Sequence, residues 1–167
     1  MTDDARLCDA VAAVGALPRG SAVVVRARKH LEELAGKVVK VARARRLIVL
    51  IANDAELAMR LGAHGVHLSE ARAREALHWR ARFPSLIVTC AAHSARALHR
   101  NGTDAMFLSP VFPTRSHPER SALTPVRANL IARQARVAVY ALGGIDGRNA
   151  ARLSGFKGIS AIGALTP

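Results

Sequence analysis

Residues 107–118 read Phe-Leu-Ser-Pro-Val-Phe-Pro-Thr-Arg-Ser-His-Pro, and place Thr114, Arg115, Ser116 and His117 in succession after an apolar stretch. Two hydroxyls, a guanidinium and an imidazole are groups suited to hold a phosphate. A second run, Tyr140-Ala141-Leu142-Gly143-Gly144-Ile145, ends in a glycine pair. Such a pair brings main-chain N–H groups close to an anion. An apolar strand with a polar loop at its C-terminal end is how α/β proteins build their sites. The two runs together predict a site for a phosphorylated small molecule.

Positioning these loops requires strands. Seven short apolar runs are predicted as strands, over 22–26, 47–51, 65–68, 86–90, 105–108, 137–142 and 158–162. Helical spacing of apolar residues is expected over 4–14, 30–45 and 70–82, and over 146–153 from a cap at Asp146. Glycines at 62, 65, 102, 155 and 158 punctuate helix-to-strand steps. A β-α unit that repeats about every 20–30 residues indicates a parallel sheet covered by helices. Seven such units favour a (β/α)8 TIM barrel over an open sheet. The barrel is expected to lack its first strand and its last helix, with residues 1–167 forming one domain. Either the barrel is clipped or Met1 is not the native start.

The chain carries 25 basic and 12 acidic residues, a formal charge of +13. This field favours anionic partners. The 21 arginines against 4 lysines are spread along the chain, as expected of solvated helix surfaces. One tryptophan, one tyrosine and four phenylalanines offer few stacking platforms, and no RNA or DNA module is visible, which argues against nucleic acid. Cys8 and Cys90 have no metal-binding or disulfide spacing; Cys90 ends an apolar run and reads as core. No signal peptide or long apolar span is present, so a cytoplasmic protein without a membrane partner is expected. A homo-oligomer is left open.

Three motifs carry a resemblance over nearly the whole chain: Gly65-Val66-His67-Leu68, Pro110-Val111-Phe112-Pro113-Thr114-x-Ser116, and Ala141-Leu142-Gly143-Gly144-Ile145. The sequence resembles thiamine phosphate synthase and its relative, the thiazole tautomerase, which share a compact (β/α)8 barrel. Met1-Thr2-Asp3 looks like the end of that family's first strand. The resemblance implies coupling of hydroxymethylpyrimidine pyrophosphate with thiazole phosphate and release of pyrophosphate. In that dissociative chemistry a pyrimidine carbocation forms before the thiazole nitrogen attacks. Mg²⁺ and cationic or N–H donors would neutralise the leaving pyrophosphate.

By resemblance, Arg26 and Arg28 bind pyrophosphate, with Arg28 standing where the family has lysine. Asn53 would contact pyrophosphate and Asp54 would bind Mg²⁺; the pair also reads as a helix N-cap. Thr114 and Ser116 match pyrophosphate-binding hydroxyls, and His117 stands where the synthase has lysine. Gly143 and Gly144, with the backbone at Ile162 and Gly163, match the cup for the thiazole phosphate. His67, inside a strand motif, reads as structural, and His93 could line the mouth.

The departures weaken the metal and pyrimidine contacts. The family's second metal carboxylate follows the Gly65–Leu68 motif, where this chain has Ser69-Glu70-Ala71-Arg72, with Arg72 at the expected aspartate. Val24 and Ala91 replace an expected glutamine and serine. The tautomerase histidine would fall at Pro110, so that activity is not supported. Arg26, Arg28 and Arg72 could take over part of the neutralisation. Two other readings remain: a non-catalytic or diverged phosphate-ligand-binding barrel, and a basic nucleic-acid-binding protein.

Overall fold

The computed structural model describes residues 1–2, 9–114 and 121–162. Seven strands, β1 (Ala22–Val25), β2 (Ile48–Ala52), β3 (Gly65–Leu68), β4 (Ile87–Ala92), β5 (Ala105–Leu108), β6 (Ala138–Leu142) and β7 (Gly158–Ser160), form one sheet. Neighbours pair in parallel in the order of the sequence. That order has a geometric consequence. Parallel crossovers are right-handed, so an order without reversal puts every connecting helix on the same face. The other face must then curl on itself. The result is a curled half-barrel, and an open sheet with helices on both faces is excluded. The closed eight-strand ring expected from the sequence is not formed among the described residues.

Both faces of the strands are apolar, as in buried parallel sheets. On the outer face Val23, Val25, Val49, Ile51, Val66, Leu68, Val88, Met106 and Leu108 form the main core with the helices. The helix α2 (Leu31–Arg45) shows why: Ala35, Val38, Val39 and Ala42 make one buried stripe at helical spacing. The inner face packs Val24, Leu50 and Phe107 with Ile87 and Tyr140. Phe107 stacks on Tyr140 at 5.4 Å and meets the edge of His67 at 4.9 Å. Cys90 is fully buried on the outer face, a core residue as the sequence suggested, and burial pushes its thiol up to about 11.

The helices differ more from expectation. α1 (Ala10–Gly15) begins at an Asp9 cap, and the rest of the expected 4–14 helix lies largely outside the described residues. The expected 70–82 helix is a 3-10 helix, Glu70–Glu75, followed by α4 (Ala76–Arg82). Over 146–153 only a short 3-10 helix forms, Ala150–Arg152. There Asp146 closes a turn instead, its Oδ1 accepting from the N–H of Arg148 at 2.8 Å and of Asn149 at 3.0 Å. α3 (Ala55–Leu61) lies between the expected cap at Asp54 and the expected glycine step at Gly62, whereas α5 (Pro125–Arg133), which starts with Thr124 as cap and proline in its first turn, was not anticipated.

Among the described residues the seam between β1 and β7 is bridged by Met1 and Thr2. Met1 donates from its amino group to the Ala161 carbonyl at 3.1 Å, and the Thr2 N–H donates to the Val24 carbonyl at 2.9 Å. Below this bridge lies a cavity of about 590 Å³, lined by Val14 and Leu17 of α1 and by Val24, Leu50, Phe107 and Tyr140 of the inner face. The edges are thus partly covered by N-terminal residues.

Candidate active site

All seven strands point the same way, so the loops after them converge on one rim. Arg26 directly follows β1 and is exposed. Its backbone is clamped by Thr2: the Arg26 N–H donates to Thr2 Oγ1 at 2.8 Å, and the Thr2 hydroxyl donates to the Arg26 carbonyl at 2.8 Å. Arg28 lies two residues further and is exposed. The Thr2→Val variant should lose both bonds and leave the Arg26 N–H unpaired. The expected cost is about 1–3 kcal/mol, measurable as a lower urea midpoint at unchanged slope. An unchanged midpoint would remove Thr2 as the clamp.

Asn53 follows β2 with φ +57°, in the left-handed region that asparagine tolerates better than most residues. Three bonds hold it there. Its N–H donates to the His67 carbonyl at 2.9 Å, its Oδ1 accepts from the Ser69 N–H at 2.7 Å, and its carbonyl accepts from the Arg72 guanidinium. Asp54 is the N-cap of α3, with Oδ1 accepting from the Leu57 N–H at 2.8 Å. The cap reading of Asn53-Asp54 is therefore correct for Asp54.

Gly143 and Gly144 follow β6 with φ of +96° and +65°. A Cβ on Gly144 would lie 2.3 Å from the Pro113 carbonyl oxygen, and one on Gly143 would lie 2.9 Å from Pro110 Cα. The pair thus lets the loop after β5 lie against the end of β6. Val111 and Phe112 donate there to the carbonyls of Leu142 and Gly143, at 3.0 and 3.1 Å. Asn149 Nδ2 donates to the Gly144 carbonyl at 2.8 Å and fixes the turn. Thr114 ends the described part of the β5 loop and is half-buried. Ile162 follows β7; Ser116, His117 and Gly163 lie outside the described residues. The structure therefore brings Arg26, Arg28, Asn53, Asp54, Thr114, Gly143, Gly144 and Ile162 to strand ends on one rim.

His93, expected near the mouth, and Glu70 make contacts across this rim that the sequence did not reveal. His93 Nδ1 lies 2.8 Å from the Ser109 carbonyl oxygen and 3.3 Å from its hydroxyl, joining the loops after β4 and β5. Glu70 Oε2 accepts from the His93 N–H at 2.6 Å, while Oε1 stands 3.8 Å from Arg100. The serine expected at Ala91 is absent, and the hydroxyl beside His93 is that of Ser109, directly after β5.

Mg²⁺ needs near-octahedral oxygen ligands, usually one or two carboxylates plus substrate phosphates. Asp54 serves α3, and Glu70 is bound to His93 and Arg100. The guanidinium of Arg72 sits on the peptide joining Asn53 to Asp54. Among the described residues no three His, Cys, Asp or Glu side chains gather as a metal site. This donor set does not fit a resident Mg²⁺.

A family model described as thiamine monophosphate synthase matches residues 3–165. The chain belongs to that family. A putative thiamine-phosphate synthase 2 of Aquifex aeolicus is 32% identical over 120 residues, covering 70% of this chain and 64% of the relative. A thiamine-phosphate synthase of Bacillus velezensis is 32% identical over 139 residues, 79% of this chain and 62% of the relative. The chain thus spans just under two thirds of these relatives' length. Among solved structures, a thiamine phosphate pyrophosphorylase from Pyrococcus furiosus superposes with a TM-score of 0.78 at 22% identity, covering 96% of this chain and 82% of that one. A FabK mutant from Thermotoga maritima, at 19% identity, reaches 0.64 over 93% of this chain and 56% of its own. The curled parallel fold is therefore shared beyond the family, and the rim must carry the functional argument. Among the described residues no helix is long and apolar enough to cross a membrane.

Proposed function

We propose that this chain is a thiamine-phosphate synthase that works in the cytoplasm. It couples hydroxymethylpyrimidine pyrophosphate with thiazole phosphate and releases pyrophosphate. The observation that carries this reading is the convergence of Arg26, Asn53 and the Gly143-Gly144 turn on the rim of a parallel sheet, in a member of this family. Arg26 and Arg28 would hold the pyrophosphate, helped by Thr114, Ser116 and His117. The C–O bond to pyrophosphate breaks first, and the leaving group takes the electron pair. Guanidinium N–H groups stabilise the charge that develops on it. The thiazole phosphate, held by the glycine turn and by backbone at Ile162 and Gly163, places its ring nitrogen against the pyrimidine carbocation. Asn53, fixed by three hydrogen bonds, would orient the pyrophosphate without reorganising. The resemblance would give Asp54 a Mg²⁺ to supply further charge neutralisation, which the donor set here does not fit.

The test is formation of thiamine phosphate from the two substrates by the whole chain, followed by chromatography. Arg26→Ala should lower kcat/KM by about 100-fold while melting stays within a few degrees of the parent. A parent that binds thiazole phosphate but never forms product would favour a non-catalytic phosphate-binding protein.

A further inference from the structure

Arg72 links the loop after β2 to the turn after β3. Its Nε donates to Glu75 Oε1 at 2.6 Å and one terminal nitrogen donates to Glu75 Oε2 at 2.7 Å. The other terminal nitrogen donates to the Asn53 carbonyl. Glu75 is itself held from α4, where Trp79 Nε1 donates to Oε2 at 3.1 Å. The guanidinium is therefore placed by a chain from Trp79 through Glu75. A guanidinium has five N–H donors in one plane, and these contacts use three. The side chain is 40% exposed, and two of its N–H donors are not used by these contacts. The hydrogen bonds to Glu75 raise its pKa first, and the charges of Glu75 and then Asp54 raise it further. A fixed positive charge thus stands beside the one carboxylate expected to bind metal. A divalent cation there would be repelled by the guanidinium and would compete with it for Asp54.

We propose that Arg72 is the resident cation of this site: it binds the pyrophosphate group directly and makes that binding independent of divalent metal, with Glu75 as its positioning residue. This rests on the proposed synthase reading and deepens it. A planar fork aimed at an anion gives paired, charge-assisted hydrogen bonds, which a hydrated metal ion would otherwise supply through coordination.

Calorimetry with inorganic pyrophosphate tests this on the whole chain, in EDTA and in excess Mg²⁺. For the parent, the two Kd values should agree within about twofold, since the cation is built in. Arg72→Gln should weaken binding in EDTA by about 10-fold or more, and Mg²⁺ should then restore part of it. Arg72→Lys keeps the charge and loses the fork, and should fall between the two. It also keeps the test decisive if the glutamine variant does not fold. Glu75→Gln should weaken binding in EDTA less than Arg72→Gln, because the charge remains and only its placement loosens. A parent that binds pyrophosphate at least tenfold more tightly with Mg²⁺ overturns the proposal, as does unchanged binding by Arg72→Gln in EDTA. If that same parent still forms thiamine phosphate, the synthase reading stands and only the resident cation falls. A parent that binds no pyrophosphate in either buffer removes both.

Discussion

Gly65→Ala is expected to destabilise the protein by about 3 kcal/mol or more, a drop in Tm of roughly 6–12 °C for a chain of this size. Gly65 opens β3 and pairs with Ile87 of β4. A Cβ there would stand 2.1 Å from the Ile87 carbonyl oxygen and 2.7 Å from its Cβ. The first of these atoms is backbone, inside a ladder of parallel hydrogen bonds. It cannot rotate away as the tip of a side chain would. Relief requires β3 and β4 to part, and both lie in the centre of the sheet. A methyl group also normally stabilises a strand relative to glycine, so the expected sign is opposite to that of the propensity scale. Thermal melting of the alanine variant decides the matter. A Tm within about 2 °C of the parent would show that the sheet adapts at negligible cost.

Gly65 also shows what the sequence could and could not reveal. The helix-glycine-strand steps located the strands well: β3 and β5 have the expected bounds, and the others differ by one or two residues at one or both ends. Strand runs were legible because buried parallel strands are continuous stretches of Val, Ile and Leu. The two glycines of the 62–65 step have different roles, which spacing alone does not separate. Gly62 ends α3, whereas Gly65 lies inside the strand against Ile87. The helices without an expected range were short. α3 spans seven residues and α5 nine, too few for a clear helical period, although the Asp54 cap and the Thr124-Pro125 pair marked their starts. The half-barrel could not be derived from strand count. It follows from the sequential pairing order and from the bridge that Met1 and Thr2 make across the seam.

The site was legible one loop at a time. Arg26, Asn53 and Gly143-Gly144 stood out because each ends a strand. Contacts between loops did not, because they join residues far apart in sequence. In the sequence Arg72 stood out as the wrong residue at an expected aspartate and as a cation that could share the neutralisation, but nothing there fixed its placement. Its contacts with Glu75 and the Asn53 carbonyl change that departure into a placed cation. The glycine pair has a second reason to exist, since Pro110 and Pro113 press on it. A bulky residue at 144 would displace that loop with or without a ligand, so loss of binding in such a variant would not locate a phosphate.

Acidification should destabilise the fold between pH 6.5 and 4, through His67. The ring is 6% exposed, and its Nδ1 lies 2.9 Å from Thr89 Oγ1. The Thr89 hydroxyl donates to the Val66 carbonyl at 3.3 Å, so it accepts from His67, and Nδ1 carries the proton of the neutral tautomer. Burial is the main force lowering the pKa from 6.5 to about 4, followed by the positive charges of the amino terminus and Arg26. The sign follows from linkage. Below 6.5 the unfolded chain binds a proton that the folded chain refuses until about pH 4. Stability is thus full above 6.5, falls as pH drops through the window, and levels off below 4 once both states are charged. The loss over the window is on the order of 3 kcal/mol. Denaturant unfolding of the parent and of His67→Gln at a series of pH values measures it. Glutamine does not titrate, so its curve should lose most of this slope, even though its stability at pH 8 is lower from the altered packing on Phe107. Equal slopes for the two proteins would place the acid sensitivity elsewhere and leave His67 charged in the fold.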